Sequence, residues 1–232
     1  MKIDLHVHTS NRSACGCATE DEMVRAAVAA GLDAIAFTDH DRLAPAERLA
    51  ELNDRFAPFR VFGGIEVTIA VPHHCIVLGV DSPDLEIRKW VYRDLCAFVR
   101  ERGGLLALCH PFRFGDELPA GIDEAPPDAI ELRSVHIPAA DEGRIWGLAS
   151  RLGATLLCNS DAHKMEFVGI YSNDFDGVPG WPADGPGLVE LLRKGTHSCA
   201  ADIRRLELLD RPAEERDALV RAAAGRGGAQ GA

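Results

Sequence analysis

Two histidines near the start of the chain have the spacing of metal ligands. His6 and His8 lie in an apolar segment typical of a β-strand, in which side chains two residues apart point to the same face. Neutral imidazole is a frequent ligand of zinc and also binds iron and nickel. Because a solvated strand face could carry the same pair, the prediction of a metal site depends on further ligands downstream.

Residues of the same types recur beside later strand-like segments. They are Asp39 and His40, Glu66, His74, His110, and Asp161 with His163. Each has a structural explanation when taken alone: Asp161 could cap a helix, and His110 could be a loop residue before Pro111. Six histidines and two or three carboxylates crowded at one place, however, would repel one another without cations. Their joint placement therefore predicts a multinuclear metal centre.

A repeated strand–helix pattern would bring these residues to one face. The first helix is predicted to start at Thr19, an N-cap with Glu22 at the capping-box position, and to end at Gly31. Apolar strands and helices alternate about seven times, which predicts a (β/α) barrel or a related closed α/β fold. In such folds the C-terminal ends of the strands form the active face.

Individual segments follow from the same pattern. Strands are predicted at residues 32–37, 60–67, 75–80, 105–109, 129–132 and 155–158, and helices at 45–56, 83–102, 139–152 and 188–194. The helix over 83–102 carries apolar residues at the spacing of one helix face, namely Ile87, Val91, Leu95 and Phe98. Segments 112–127 and 174–187 are predicted loops, the first lying over the site. Residues 1–215 would form one domain and 216–232 a frayed tail.

Composition limits the classes of function. The chain has 232 residues, 47% hydrophobic and 26% charged, which suits one globular domain. Its net charge of −11 argues against a stable nucleic-acid partner, although a small phosphorylated substrate could still be drawn to a cationic metal site. The sequence shows neither a transmembrane run nor a signal peptide, so we expect a cytoplasmic protein without a membrane partner.

Seven cysteines are scattered along the chain, most of them in apolar segments. In a reducing compartment we expect these to be small buried hydrophobes, not a disulfide framework. Cys15 and Cys17 differ, because they lie in a polar loop after the first strand. Their C-x-C spacing has no second half elsewhere, which argues against a structural zinc site.

Five short motifs occur along the chain: H-x-H-T at residues 6–9, T-D-H at 38–40, G-x-E at 64–66, C-H-P at 109–111 and S-D-A-H at 160–163. In this order they resemble the PHP (polymerase and histidinol phosphatase) family. The resemblance implies a distorted (β/α)7 barrel, related to the TIM barrel. It also implies two or three divalent transition-metal ions, zinc, manganese or iron, and hydrolysis of a phosphoester in a small metabolite or nucleotide by a metal-activated hydroxide.

The resemblance assigns ligands for two metals: His6, His8 and Asp161 for the first, Glu66 as the bridge, and His74 and His110 for the second. His74 is preferred to His73 because it directly precedes an apolar run. A third metal would be held by His40, His163 and a residue of the loop after the first strand. Many family members carry Asp or His in that loop, and here the candidates are Cys15 and Cys17. A thiolate from Cys15 would suit zinc or iron and would be a poor ligand for manganese.

The expected catalytic carboxylates are Asp39, Glu66 and Asp161. Asp39 could protonate the leaving group or could only orient a ligand histidine. Phosphate recognition favours cationic side chains, and the candidates are Arg113, Arg133 and Lys164, with Arg12 behind them. Each of these could instead be a surface charge. His136 lies near the same face without motif support, and His197 is expected to be non-functional.

Two other functions stay open at this point. A metal-dependent amidohydrolase could cleave a carbon–nitrogen or carboxylic ester bond with the same activated water. A non-catalytic metal-binding domain is the other alternative, although the near-complete ligand set argues against it. The oligomeric state is left open.

Overall fold

The computed structural model describes residues 1–70 and 73–209, so the predicted tail at 216–232 lies outside the described residues. None of the helices in this part of the chain is long and apolar enough to cross a membrane. In chain order the elements are β1 (Lys2–Val7), α1 (Glu20–Ala29), β2 (Ala34–Phe37), α2 (Ala46–Phe56), β3 (Arg60–Ala70), β4 (His73–Leu78), α3 (Asp84–Ile87), α4 (Tyr92–Glu101), β5 (Leu105–Leu108), β6 (Ala129–Arg133), a 3-10 turn (Ala139–Asp141), α5 (Glu142–Leu152), β7 (Thr155–Cys158), β8 (Tyr171–Asp174), α6 (Gly185–Arg193), β9 (Ser198–Ala201) and α7 (Ile203–Leu209).

Nine strands form one sheet in the order β7-β6-β5-β4-β3-β2-β1-β8-β9. Strands β1 to β3 pair in parallel, and so do β5 to β7. Strand β4 is antiparallel to both of its neighbours, and β8 and β9 add antiparallel strands beyond β1. The sheet is nearly closed, which confirms the predicted barrel-related α/β fold. The alternation of strand and helix is broken at β3 and β4, which the sequence predicts as two successive strands but without their antiparallel pairing. It is broken again at β8 and β9, which the sequence pattern does not predict.

Side chains close the seam between β7 and the strands β8 and β9. The Asn173 side chain in β8 accepts a hydrogen bond from Cys158 N at 3.0 Å and donates one to Cys158 O at 3.0 Å. Cys158 in β7 also forms a disulfide with Cys199 in β9. The expectation of unpaired cysteines is therefore wrong for these two. It is correct for three buried free cysteines, Cys75, Cys96 and Cys109.

The predicted helix over residues 83–102 is two helices, α3 and α4. Between them the chain is extended, with a ψ of 144° at Val91. This break turns Trp90 into the core, where it is 3% exposed, and leaves Ile87 and Val91 74% and 60% exposed. The apolar spacing is correct for Leu95 and Phe98 in α4, which are buried. The predicted apolar spacing is wrong for Ile87 and Val91 in the first half of the segment, because burial of the large indole ring of Trp90 is more favourable than an unbroken helix.

The predicted start of α1 is confirmed. Thr19 Oγ1 accepts a hydrogen bond from Glu22 N, and the Glu22 carboxylate accepts one from Thr19 N at 2.8 Å. Gly31, with a φ of 75°, follows the end of the helix. The capping box fixes the far end of the loop that carries Cys15 and Cys17.

Candidate metal centre

Four buried polar atoms face one another at the C-terminal end of the parallel strands. They are His6 Nε2, His8 Nε2, Glu66 Oε2 and Asp161 Oδ1, and none of them makes a hydrogen bond within the described part of the chain. Each imidazole nitrogen lies 3.2 Å from Glu66 Oε2, and 3.4 Å (His6) or 3.2 Å (His8) from Asp161 Oδ1. Buried polar groups are almost always paired, so an orphaned set of two imidazoles and two carboxylates fits a divalent cation.

Glu66 lies between this set and a second group of imidazoles. Its Oε1 atom is 3.0 Å from His74 Nδ1 and 3.2 Å from His110 Nε2. Its Oε2 atom, which faces the first set, is also 3.0 Å from His40 Nδ1. A carboxylate with one oxygen toward each group has the geometry needed to bridge two ions. The structure also brings His74, rather than His73, to this carboxylate.

A third group contains a thiol. One ligand atom each of Cys15, His8, His40 and His163 lies within 4.8 Å of the others. Cys15 is exposed and the two outer imidazoles are partly accessible, whereas His8 is buried. His136 adjoins this region, because its Nε2 atom is 3.8 Å from Asp161 Oδ2 and its ring centroid is 5.6 Å from that of His163. The sequence carries no motif that would have indicated a role for His136.

Glu131 is a site residue that the sequence analysis missed. This carboxylate on β6 is fully buried, and its Oε1 atom is 2.8 Å from His6 Nδ1 and accepts a hydrogen bond from Asn159 Nδ2 at 2.8 Å. Its Oε2 atom accepts the backbone N–H of His110 at 2.9 Å. Glu131 therefore directs the Nε2 atom of His6 into the site. The available signal was one carboxylate inside the otherwise apolar segment 129–132.

Backbone strain marks two of the turns that follow strands. His110 has a φ of 26° and Asp161 a φ of 53°, both in the left-handed region. Asp and His both adopt this region more readily than most residues. The hydrogen bond from the His110 N–H to Glu131 holds His110 there. Such strain concentrates at functional sites, where surrounding structure fixes it.

Electrostatics favour ionised carboxylates and a neutral outer imidazole. Burial raises the pKa of Glu66 and of Asp161, but the neighbouring His6 charge and the close contacts with other imidazoles outweigh it and hold both pKa values well below their usual range. Burial lowers the pKa of His40 to about 4. Burial lowers the pKa of His6 and of His8, but the surrounding carboxylates outweigh it and raise both pKa values. A bound cation would take the place of these imidazole protons beside the anionic carboxylates.

Asp39 is engaged by the loop after β1. Its oxygens accept hydrogen bonds from Thr9 N at 2.6 Å, Thr9 Oγ1 at 2.9 Å and Arg12 Nε at 3.0 Å. Arg12 is bound in addition to Glu20. Both carboxylate oxygens of Asp39 therefore accept hydrogen bonds from this loop, and Arg12 links Asp39 to Glu20.

The three predicted phosphate-binding residues have different surroundings. Arg113 NH1 is 3.4 Å from Asp161 Oδ2, beside the centre. Arg133 instead makes two hydrogen bonds of 2.9 Å to Glu142 at the start of α5, so its guanidinium fork is already occupied. Lys164 is exposed next to His163. The structure therefore favours Arg113 among the three.

A pocket of about 440 Å³ adjoins the centre. His110 and Arg113 line it together with His73, and Phe112 and Phe114 supply its aromatic walls. A larger cavity, of about 890 Å³, is lined by a different set of residues. His197 contacts the carbonyl oxygen of Leu156 at 2.9 Å, which fits its expected non-functional role.

Comparison with known families decides the class of protein to which this arrangement belongs. The sequence profile of the PHP domain matches residues 4–178. The chain belongs to the PHP domain family. The matched region contains all five motifs and ends before β9, so Cys158 of the disulfide lies inside the PHP region and Cys199 beyond it.

Several solved structures share the PHP chain's fold. PsfC from Pseudomonas syringae is 20% identical, with a TM-score of 0.67 over 95% of this chain and 98% of its own. A candidate metal-dependent phosphoesterase from Bifidobacterium adolescentis is 14% identical, with a TM-score of 0.57 over 87% and 97%. An amidohydrolase from Chromobacterium violaceum, solved with sulfate and no metal, is 20% identical, with a TM-score of 0.57 over 88% and 100%. No curated protein matches the chain.

Proposed function

We propose that this chain is a metal-dependent phosphoesterase that acts on a small phosphorylated metabolite or nucleotide, in the cytoplasm. PHP family membership and the clusters of His, Asp and Glu side chains support the broader class, a metal-dependent hydrolase. The observation that carries the proposal is the orphaned set of two imidazole nitrogens and two carboxylate oxygens at the strand ends. The name of the Bifidobacterium neighbour, a candidate metal-dependent phosphoesterase, agrees with it.

The described residues would hold two ions in the centre. His6, His8 and Asp161 would bind the first, His74 and His110 the second, and Glu66 would be shared between them. Nitrogen and carboxylate oxygen donors suit zinc, manganese and iron. Bound divalent ions supply Lewis acidity, which lowers the pKa of water and offsets the negative charge of a phosphoester.

Residues around the ions would recognise and orient the substrate. Arg113 is the cation nearest to Asp161 among the three predicted candidates, and its guanidinium group can donate two parallel hydrogen bonds to phosphate oxygens. In a chain of net charge −11, a local cation beside the pocket favours an anionic substrate at this point. The aromatic rings of Phe112 and Phe114 would contact the leaving group and exclude water from it.

The test is a matched substrate panel on the metal-loaded chain. We expect hydrolysis of aryl phosphate monoesters or diesters with zinc, manganese or iron, and loss of turnover in His8→Ala with the fold retained by circular dichroism. His197→Ala serves as the matched control and should remain active. The panel also includes aryl esters and anilides, because the Chromobacterium neighbour is named as an amidohydrolase. Hydrolysis of these substrates with no turnover of any phosphoester would favour the amidohydrolase alternative.

A further inference from the structure

The third ligand group differs from the other two in its chemistry. It combines the thiol of Cys15 with the imidazoles of His40 and His163, next to the buried ring of His8. The ring centroid of His8 is 4.6 Å from that of His40 and 4.3 Å from that of His163, so the His8 ring packs against both outer rings, close to the thiol. The group opens to solvent on the side of Cys15.

The loop that carries Cys15 is hydrogen-bonded to the backbone of His40 and of His163, the residues that carry the two outer imidazoles. Ser13 Oγ accepts the backbone N–H of His40 at 2.9 Å, and Cys17 N donates to His163 O at 2.8 Å. Between them, Gly16 packs so closely on the chain that a Cβ atom there would lie 2.3 Å from the carbonyl carbon of Thr9. Glycine is required at this position because of the close approach, and the thiol is therefore held in place rather than carried on a free loop.

We propose that Cys15, His40 and His163 form a thiolate-containing site that selects zinc or iron over manganese and magnesium. The inference rests on the proposed function, because the ion would adjoin the two-ion centre. Thiolate ligands favour zinc and iron, whereas manganese and magnesium favour oxygen. On binding, the sulfur–hydrogen bond of Cys15 breaks, the proton goes to buffer, and the sulfur lone pair forms the bond to the ion. Cys15 is exposed, so an ion held by these three side chains would be accessible from solvent.

Cys17 is a matched control within the same loop. Both cysteines are free and exposed, but the Sγ atom of Cys17 contacts the carbonyl oxygen of Cys15 at 3.6 Å, and Cys17 does not belong to the ligand group. A serine at position 17 should therefore leave the site intact. A serine at position 15 should remove the sulfur ligand, and an aspartate there should replace sulfur with oxygen.

The test uses the full chain, stripped of metal and titrated with cobalt(II), whose bond to a thiolate gives a charge-transfer band in the near ultraviolet. The native chain and Cys17→Ser should show the band. Cys15→Ser should lose it together with roughly one bound ion per chain. Cys15→Asp should also lose the band, and should bind manganese more tightly than the native chain does.

Two results in the variants would overturn the proposal: a band that survives in Cys15→Ser, or one that disappears in Cys17→Ser. One result in the native chain would overturn it as well. A native chain that binds cobalt without the band and still hydrolyses phosphoesters would overturn this inference and leave the proposed function standing. A native chain that shows the band but hydrolyses no phosphoester would support this inference and contradict the proposed function. Unfolding curves of all variants report separately on the fold.

Discussion

Replacement of Glu131 by glutamine tests whether the residue behind His6 controls metal affinity. Three donors converge on the carboxylate: the His6 ring, the Asn159 amide and the backbone N–H of His110. Glutamine has the same size but only one acceptor oxygen, so its NH₂ group must face at least one of these donors. The substitution changes hydrogen bonding without creating a cavity.

The size of the effect follows from these contacts. Loss of the partner behind a metal-binding histidine typically weakens metal affinity about 10- to 100-fold. This corresponds to about 1.4 to 2.7 kcal/mol of binding free energy. A donor left unpaired in the buried site also lowers the free energy of unfolding by about 1 to 3 kcal/mol. Both effects should appear in Glu131→Gln.

The assay is competition for zinc between the stripped chain and a chromophoric chelator, with urea unfolding measured in parallel. Glu142→Gln is the control, because that carboxylate pairs with Arg133 at the surface and should leave metal affinity unchanged. Native metal affinity in Glu131→Gln, together with a native unfolding midpoint, would refute the argument that this carboxylate positions His6.

Three further predictions follow from the seam and the pocket. Asn173→Ala should lower the free energy of unfolding in urea by about 2 to 4 kcal/mol, because it leaves the buried N–H and C=O of Cys158 unpaired. Cys199→Ser should lower the free energy of unfolding in oxidising buffer by up to about 4 kcal/mol, as expected for loss of a disulfide across 41 residues. If the variant is less stable than the native chain by the same amount in dithiothreitol, the effect does not come from the cross-link. Arg113→Met should raise KM for an aryl phosphate about 10- to 100-fold, the loss expected for a charge-assisted hydrogen bond, and an unchanged KM would place the guanidinium outside the phosphate site.

The sequence contains enough information to predict which residues meet at the metal centre. His40, His110 and Asp161 each follow a short apolar strand, and parallel strands end on the same side of a barrel. The ligand types then identify the chemistry, because imidazole and carboxylate side chains seldom collect in a buried place without a cation. The start of α1 is predictable for a similar local reason, since Thr19 and Glu22 satisfy each other's hydrogen bonds.

Features that depend on tertiary packing could not be predicted in the same way. The break before α4 depends on the space available for Trp90 in the core, which helical periodicity does not reveal. Glu131 looks like a stray charge until its three donors are in place. The pairing of Cys158 with Cys199 requires that β8 and β9 extend the sheet beyond β1. The sequence pattern indicates no strand at either β8 or β9.

His74 shows how a ligand's position can report the direction of its strand. It precedes its apolar run, whereas His40 and His110 follow theirs. Strand β4 has six residues, so its two ends are about 20 Å apart. A parallel β4 would therefore carry His74 to the opposite end of the barrel, far from Glu66. The antiparallel direction places its first residues beside the centre, and His74 Nδ1 lies 3.0 Å from Glu66 Oε1. A ligand before a strand thus indicates reversal of that strand, once the other ligands identify the active end.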